Sequence, residues 1–230
     1  MKIEIWSDVM CPFCYIGKKN FEEALEQIPF KDKIEVDWKS FQLDPSLETG
    51  VATTTAEYFR EKKGFPEAQA KQMTAQVTEM GKSVGIDFNF ENAIITNTFS
   101  AHKIIHLAKK HNLGAEMEEE LFKAHFIEGK NIGDAKTLIA LGEKSGLKSE
   151  EITDALSSKE IDLAVKHEII EASQLGISGV PFFVIDKKYG VSGAQPVETF
   201  KEAITQAYNE RTVTLSNNND ASCGEDGCEI

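Results

Sequence analysis

Apolar and charged residues alternate at the start of the chain, where Ile3 and Ile5 flank Glu4 within Lys2-Ile3-Glu4-Ile5-Trp6, and this spacing predicts a short strand. The period then lengthens, and residues 11–28 predict a helix. Lys33 to Leu43 returns to period two: Ile34, Val36 and Trp38 alternate with charged neighbours and predict a second strand. From about Thr53 to Leu175 nearly every segment carries helical spacing. Start and stop residues divide that stretch. Pro66 opens a helix that Gly85 closes, Thr96-Asn97 and Gly114 bracket the next, and Asp134 and Gly146 bracket another. Ser157 with Glu160 forms a capping box for a long helix ending at Gly176. Strand character returns at Pro181 to Asp186, Lys187-Lys188 predicts a turn, and Tyr189 to Gly193 predicts the returning strand. Pro196 opens a last helix to about Asn209. Residues 216–222 offer nothing to bury, so 211–230 is expected to be a mobile tail.

Composition narrows the function classes. A chain of 230 residues can bury a core as one large domain or two small ones. Its net charge of −13 argues against nucleic acid and against anionic membrane surfaces, because both are met by clustered Lys and Arg. No apolar run approaches the roughly 20 residues of a membrane span. Met1-Lys2 leads into Ile-Glu-Ile-Trp-Ser-Asp, whose charges interrupt any leader-like core, so a cytoplasmic location is expected. Disulfides in that compartment are mostly transient and catalytic.

The candidate chemistry begins with Cys11-Pro12-Phe13-Cys14, between the first strand and the first helix. Two cysteines at this spacing can close a disulfide ring. At a helix start they meet unpaired N–H groups and the positive end of the dipole, which favour the reactive thiolate. Pro12 suits the first turn, where a missing N–H loses nothing. The context favours a redox centre over a structural disulfide or half of a zinc site. Cys11 is expected to attack, as the thiol nearest the helix start and nearest solvent, and Cys14 to resolve the mixed disulfide. Gly179-Val180-Pro181-Phe182-Phe183 is the second element. With a CxxC upstream, Pro181 is expected to follow a cis bond, leaving the Val180 backbone free to pair with an extended substrate.

The order strand–helix–strand, helices, then helix–strand–strand–helix is that of an α/β thioredoxin-like fold, βαβ…αββα, split by a large all-helical insertion. Ile5-Trp6-Ser7-Asp8-Val9-Met10-Cys11-Pro12-Phe13-Cys14-Tyr15-Ile16-Gly17 resembles the N-terminal signature of DsbA-family oxidoreductases, in particular the FrnE-like branch. Gly176 to Val184 resembles that branch's cis-proline segment, and Asn97-Thr98-Phe99-Ser100-Ala101-His102 resembles its insertion motif. The resemblance spans roughly residues 1–210. It implies residues 1–43 and 160–210 as the thioredoxin-like domain, 44–159 as the insertion and 211–230 as the tail. It also implies thiol–disulfide oxidoreductase activity, with disulfide isomerase activity alongside, on protein thiols or disulfides or on glutathione, without a cofactor. Cys11, Cys14 and Pro181 match the family site, and Pro12, Phe13, Val180 and His102 are candidate substrate contacts. Kappa-class glutathione transferases and 2-hydroxychromene-2-carboxylate isomerases share the architecture but lack the paired cysteines, so a glutathione-dependent isomerase is the alternative. A holdase-like binding module is the non-enzymatic one.

Other signals are weaker. His102 and His106 share a helix face, yet His-Lys-Ile-Ile-His carries no acid between them, and ordinary helix histidines are expected, with no metal. His111, His125 and His167 have no visible partner. Glu116, Glu118, Glu119 and Glu120 read as a solvated helix start. The CX4C pair Cys223 and Cys228, a spacing found in FrnE-like members, is expected to form a second redox pair exchanging with Cys11.

Overall fold

The computed structural model describes residues 1–219; Cys223 and Cys228, and with them the second redox pair, lie outside the described residues. Strand β1 (Lys2–Ser7) leads through a short loop into helix α1 (Pro12–Glu26), and β2 (Glu35–Ser40) follows. After the intervening segment come β5 (Phe182–Ile185), β6 (Tyr189–Ser192) and the last helix, α9 (Val197–Asn219). The sheet order is β2-β1-β5-β6, with β1 and β2 parallel and the other pairs antiparallel. Ile5 is paired with Trp38 on one side and with Phe183 on the other.

Alternation along the strands assigns the two faces. Ile3, Ile5, Phe183 and Ile185 point to one side, where Phe21 and Ala24 of α1 and Phe200, Ile204 and Ala207 of α9 cover them. Trp6, Phe182 and Val184 point to the other. There α8 (Lys159–Gln174) lies against them through Ala172, and the Trp6 indole donates to the Glu168 carbonyl at 3.0 Å.

The segment between β2 and β5 holds α2 (Thr55–Glu61), α3 (Glu67–Lys82), α4 (Phe99–Lys110), α5 (Gly114–Phe126), α6 (Ala135–Lys144) and α7 (Ser149–Ser157), besides α8. It is not wholly helical. Ala52–Thr54 (β3) and Ile94–Thr96 (β4) form an antiparallel two-stranded ladder beside α2. Three-residue strands are too short to show a period, which is why the pattern concealed them.

Helix ends differ in detail from the pattern's expectation. Asp134 caps α6 through the Thr137 N–H, and Thr54 with Glu57 makes a capping box on α2. The cap of α8 is Ser158, one residue beyond the expected Ser157, whose hydroxyl instead donates back to carbonyls in α7. Asp186 and Lys187 take positive φ and are the central pair of the β5–β6 turn, so the turn also falls one residue earlier than expected. Helix α9 runs to Asn219 rather than stopping near Asn209, so residues 211–219 are helical and not tail.

Two cores meet on α1. Its first turns, Cys14 to Ile16, pack with Ile104, Leu121, Phe122 and Leu138 of the insertion. Its later turns pack on the sheet. The CxxC therefore lies where the insertion abuts the sheet domain.

Candidate active site

Cys11 is the N-cap of α1, with φ −92° and ψ 112°, and Pro12 opens the helix. The Cys11 N–H donates to the Asp8 carbonyl at 2.9 Å, and the Cys14 N–H donates to the Cys11 carbonyl at 3.0 Å. Cys11 is not exposed as expected of the attacking thiol. Cys11 is only 3% accessible and Cys14 is fully enclosed, while the neighbouring Phe13 stands 40% exposed. Both are free thiols. Burial first, and then the adjoining Cys11 sulfur, push the Cys14 thiol well above the ordinary range; a backbone donor at Asp8 and the Ser7 hydroxyl act weakly in the opposite direction.

Opposite them, the Val180–Pro181 bond is cis. The Cys11 thiol donates to the Val180 carbonyl at 3.5 Å, and the Pro181 carbonyl accepts from the Gly193 N–H at 2.8 Å. Gly17 matters to this approach. A Cβ there would stand 2.9 Å from Pro181 Cγ, so only a bare backbone lets the proline seat against α1.

Asp8, which the sequence did not single out, organises the loop before Cys11. Its buried carboxylate accepts from the Leu43 N–H at 2.7 Å and the Met10 N–H at 3.4 Å. This holds Leu43, itself 40% exposed, at the rim beside the CxxC loop. Met10 packs on Tyr58 of α2, Ile95 of β4 and Leu47.

His102 is not on the substrate surface. It is 2% exposed, on the inward side of α4, with Nε2 3.5 Å from Asp8 Oδ1. It therefore supports the loop from beneath, and its assignment as a substrate contact is corrected. His125 is wholly enclosed, and burial lowers it to about 4. His106 pairs with Glu168 at 2.8 Å. Among the described residues, no three His, Cys, Asp or Glu side chains gather as a metal site would require.

Glu116 lies exposed in the first turn of α5, as expected of a solvated helix start, but Glu118 and Glu119 do not. Glu119 accepts from Tyr15 Oη and Lys19 Nζ, each at 2.8 Å, and faces Lys18 Nζ at 3.3 Å. It is partly buried, which raises its pKa, but these partners prevail and lower it to about 2. Its neighbour Glu118 is 1% exposed, and burial pushes its carboxyl up to about 8. The signal for Glu118 was present in the sequence. It shares the inward stripe 118, 121, 122, 125 with Leu121, Phe122 and His125, at helical spacing.

Comparison with known proteins agrees with this architecture. Residues 2–205 match the family of the DSBA-like thioredoxin domain. The chain is 33% identical over 208 residues to the uncharacterized protein YwbO of Bacillus subtilis, covering 88% of this chain and 95% of that one. It superposes with a TM-score of 0.87 and 33% identity on a probable DsbA oxidoreductase from Streptomyces coelicolor, covering 100% and 99% of the two chains. A 2-hydroxychromene-2-carboxylate isomerase superposes with a TM-score of 0.63 over 97% and 100%; at 14% identity the likeness is one of fold alone. No helix among the described residues is long and apolar enough to cross a membrane.

Proposed function

This chain belongs to the DSBA-like thioredoxin domain family, and we propose that within it the protein is a thiol–disulfide oxidoreductase of the FrnE-like branch, acting on protein thiols and disulfides. One observation carries the reading: the Cys11 thiol lies at a helix N-terminus, 3.5 Å from the carbonyl before a cis proline, with a second free thiol one turn inward.

The geometry supports a two-step exchange. The Cys11 thiolate attacks a substrate disulfide and releases one substrate thiolate. Cys14 then attacks the Cys11 sulfur, and the second substrate thiolate leaves as the Cys11–Cys14 disulfide forms. In reverse, a substrate thiolate opens that disulfide at Cys11. The Val180 backbone is placed to receive an extended segment as an added strand. Phe13 and Leu43 supply an apolar rim. Burial makes Cys14 a poor nucleophile until it gives up its proton, so the resolving step depends on what accepts that proton.

Turnover of insulin disulfides with dithiothreitol, and oxidative refolding of a reduced disulfide protein, test the reading in both directions. Cys11→Ser should abolish both activities, and Cys14→Ser should accumulate mixed disulfides with substrate. Full activity in Cys11→Ser would overturn the assignment. So would a wild type that is inert toward disulfides but turns over a small aromatic electrophile with glutathione.

A further inference from the structure

We infer that Asn97 is the positioning residue for the segment that presents Leu43 to substrate, through which the protein selects polypeptides with an apolar side chain beside the reacting cysteine; this rests on the oxidoreductase reading above. Asn97 opens Asn97-Thr98-Phe99-Ser100-Ala101-His102, a motif that the exchange steps themselves do not use.

The segment in question, residues 41–47, follows β2. The Phe41 N–H still donates to the Ser7 carbonyl at 3.0 Å. Beyond it the chain leaves the sheet, and side chains distant in sequence hold it. Asp8 accepts from the Leu43 N–H, and Tyr58 Oη of α2 donates to the Asp44 carboxylate at 2.8 Å. Asn97 grips the segment at two points. Its Nδ2 donates to the Leu47 carbonyl at 2.6 Å, and its Oδ1 accepts from Gln42 Nε2 at 3.3 Å. The same Oδ1 accepts from the Phe99 N–H at 2.9 Å, where α4 begins. The amide can sit only this way round, because a backbone N–H can only donate and a carbonyl can only accept.

The motif therefore reaches the segment from both of its ends. Asn97 holds residues 42 and 47, and His102 Nε2 lies 3.5 Å from the Asp8 carboxylate that holds Leu43. Between these grips the Leu43 side chain stands 40% exposed, while Leu47 packs against Met10, the residue before Cys11. A leucine fixed in this way offers an apolar contact without first having to be ordered, and ordering costs are what a mobile loop would subtract from binding. Removing the grip leaves Leu43 in the chain but makes each substrate order the segment for itself. The preference for an apolar neighbour is then lost, although Leu43 and both cysteines are intact.

The test is disulfide exchange between the reduced protein and two symmetric peptide disulfides. The peptides are alike except that leucine in one, and the similarly sized asparagine in the other, stands on both sides of the single cysteine. Each turnover converts one peptide disulfide to two thiols and the Cys11–Cys14 thiols to a disulfide. Wild type should favour the leucine peptide by about tenfold, the low end of what one apolar contact gives in discrimination. The ratio is taken within each protein, so a change in Cys11 reactivity cancels. Asn97→Asp is the informative variant. It keeps the acceptor for the Phe99 N–H at the start of α4 but has no donor for the Leu47 carbonyl. It should lose most of the preference, as should Leu43→Asn, which alters only the presented side chain. A residue needed merely to begin α4 would tolerate aspartate and leave the ratio unchanged.

A folded Asn97→Asp protein with the wild-type ratio would overturn the proposal. So would a wild type that exchanges with both peptides at the same rate. The oxidoreductase reading would stand in either case. A wild type that exchanges with neither peptide would overturn that reading and the proposal together.

Discussion

Glu118 on α5 and Glu168 on α8 are both buried acids, yet their surroundings drive them in opposite directions. Glu168 accepts from the Ser40 N–H at 2.7 Å, from His106 at 2.8 Å and from Lys109 at 3.1 Å. Lys109 also donates to the Trp38 carbonyl and pairs with Asp37. Burial opposes the charge on Glu168, but these donors outweigh it and hold the carboxyl far below its ordinary range. Glu118 has no comparable set, and burial raises it to about 8. Burial alone thus does not say what an acid does; the count and charge of its donors decide. Glu168 ties α8, α4 and β2 together as a carboxylate. Glu118, enclosed without such donors, keeps its proton at neutral pH.

The largest effect is expected at Glu168. Glu168→Gln takes the carboxylate from His106 and leaves Lys109 with Asp37 alone, and loss of one partner from a buried ion pair costs about 3–5 kcal/mol. Chemical denaturation at pH 7 should show a drop of that order. The sign with pH follows from the lowered pKa. The contribution is complete above the unfolded carboxylate value of roughly 4.3 and is lost as pH falls toward the folded value, so the variant should be less acid-sensitive than wild type.

Glu118→Gln should behave in the opposite way. Its folded pKa is raised, so wild type loses stability as pH rises from roughly 4.3 to about 8, where the unfolded chain releases a proton that the folded chain keeps. The variant carries no such penalty. Its stability relative to wild type should therefore grow between pH 6.5 and pH 8, by at most roughly 1.4 kcal/mol per pH unit. A difference that does not change with pH would show that Glu118 ionises as it does in water.

The smallest effect is expected at an ion pair that is not buried. Glu67 and Lys71 on α3 lie 2.6 Å apart but are largely exposed. Lys71→Ala should leave the denaturation midpoint unchanged, since solvent screens such pairs. A shift as large as that of Glu168→Gln would mean that burial does not set the difference between these acids.

Much of this architecture was legible in the chain. Alternation at Ile3 and Ile5, the CxxC entering α1, and the Pro181 strand are local patterns, and local patterns define elements. What was not legible depends on contacts distant in sequence. Asp8 is an unremarkable polar residue until the Leu43 N–H, 35 positions away, is found on its carboxylate. His102 carries the same letter whether α4 turns it to a groove or toward Asp8. Glu118 was misread because a run of acids at a helix start suggests solvation, although its spacing with Leu121, Phe122 and His125 placed it inward. The enclosure of Cys11 arises from Val180 and the insertion, which the motif itself does not contain.

Cys11 and Cys14 should act as a reversible dithiol–disulfide pair, which peptide mapping by mass spectrometry after equilibration in glutathione buffers of graded poise can read. The expected result is an intramolecular Cys11–Cys14 disulfide that forms and reopens reversibly with poise, and that is absent in Cys11→Ser. A pair that stays reduced at every poise, or that halts as a glutathione adduct on Cys11 with Cys14 still free, would contradict it.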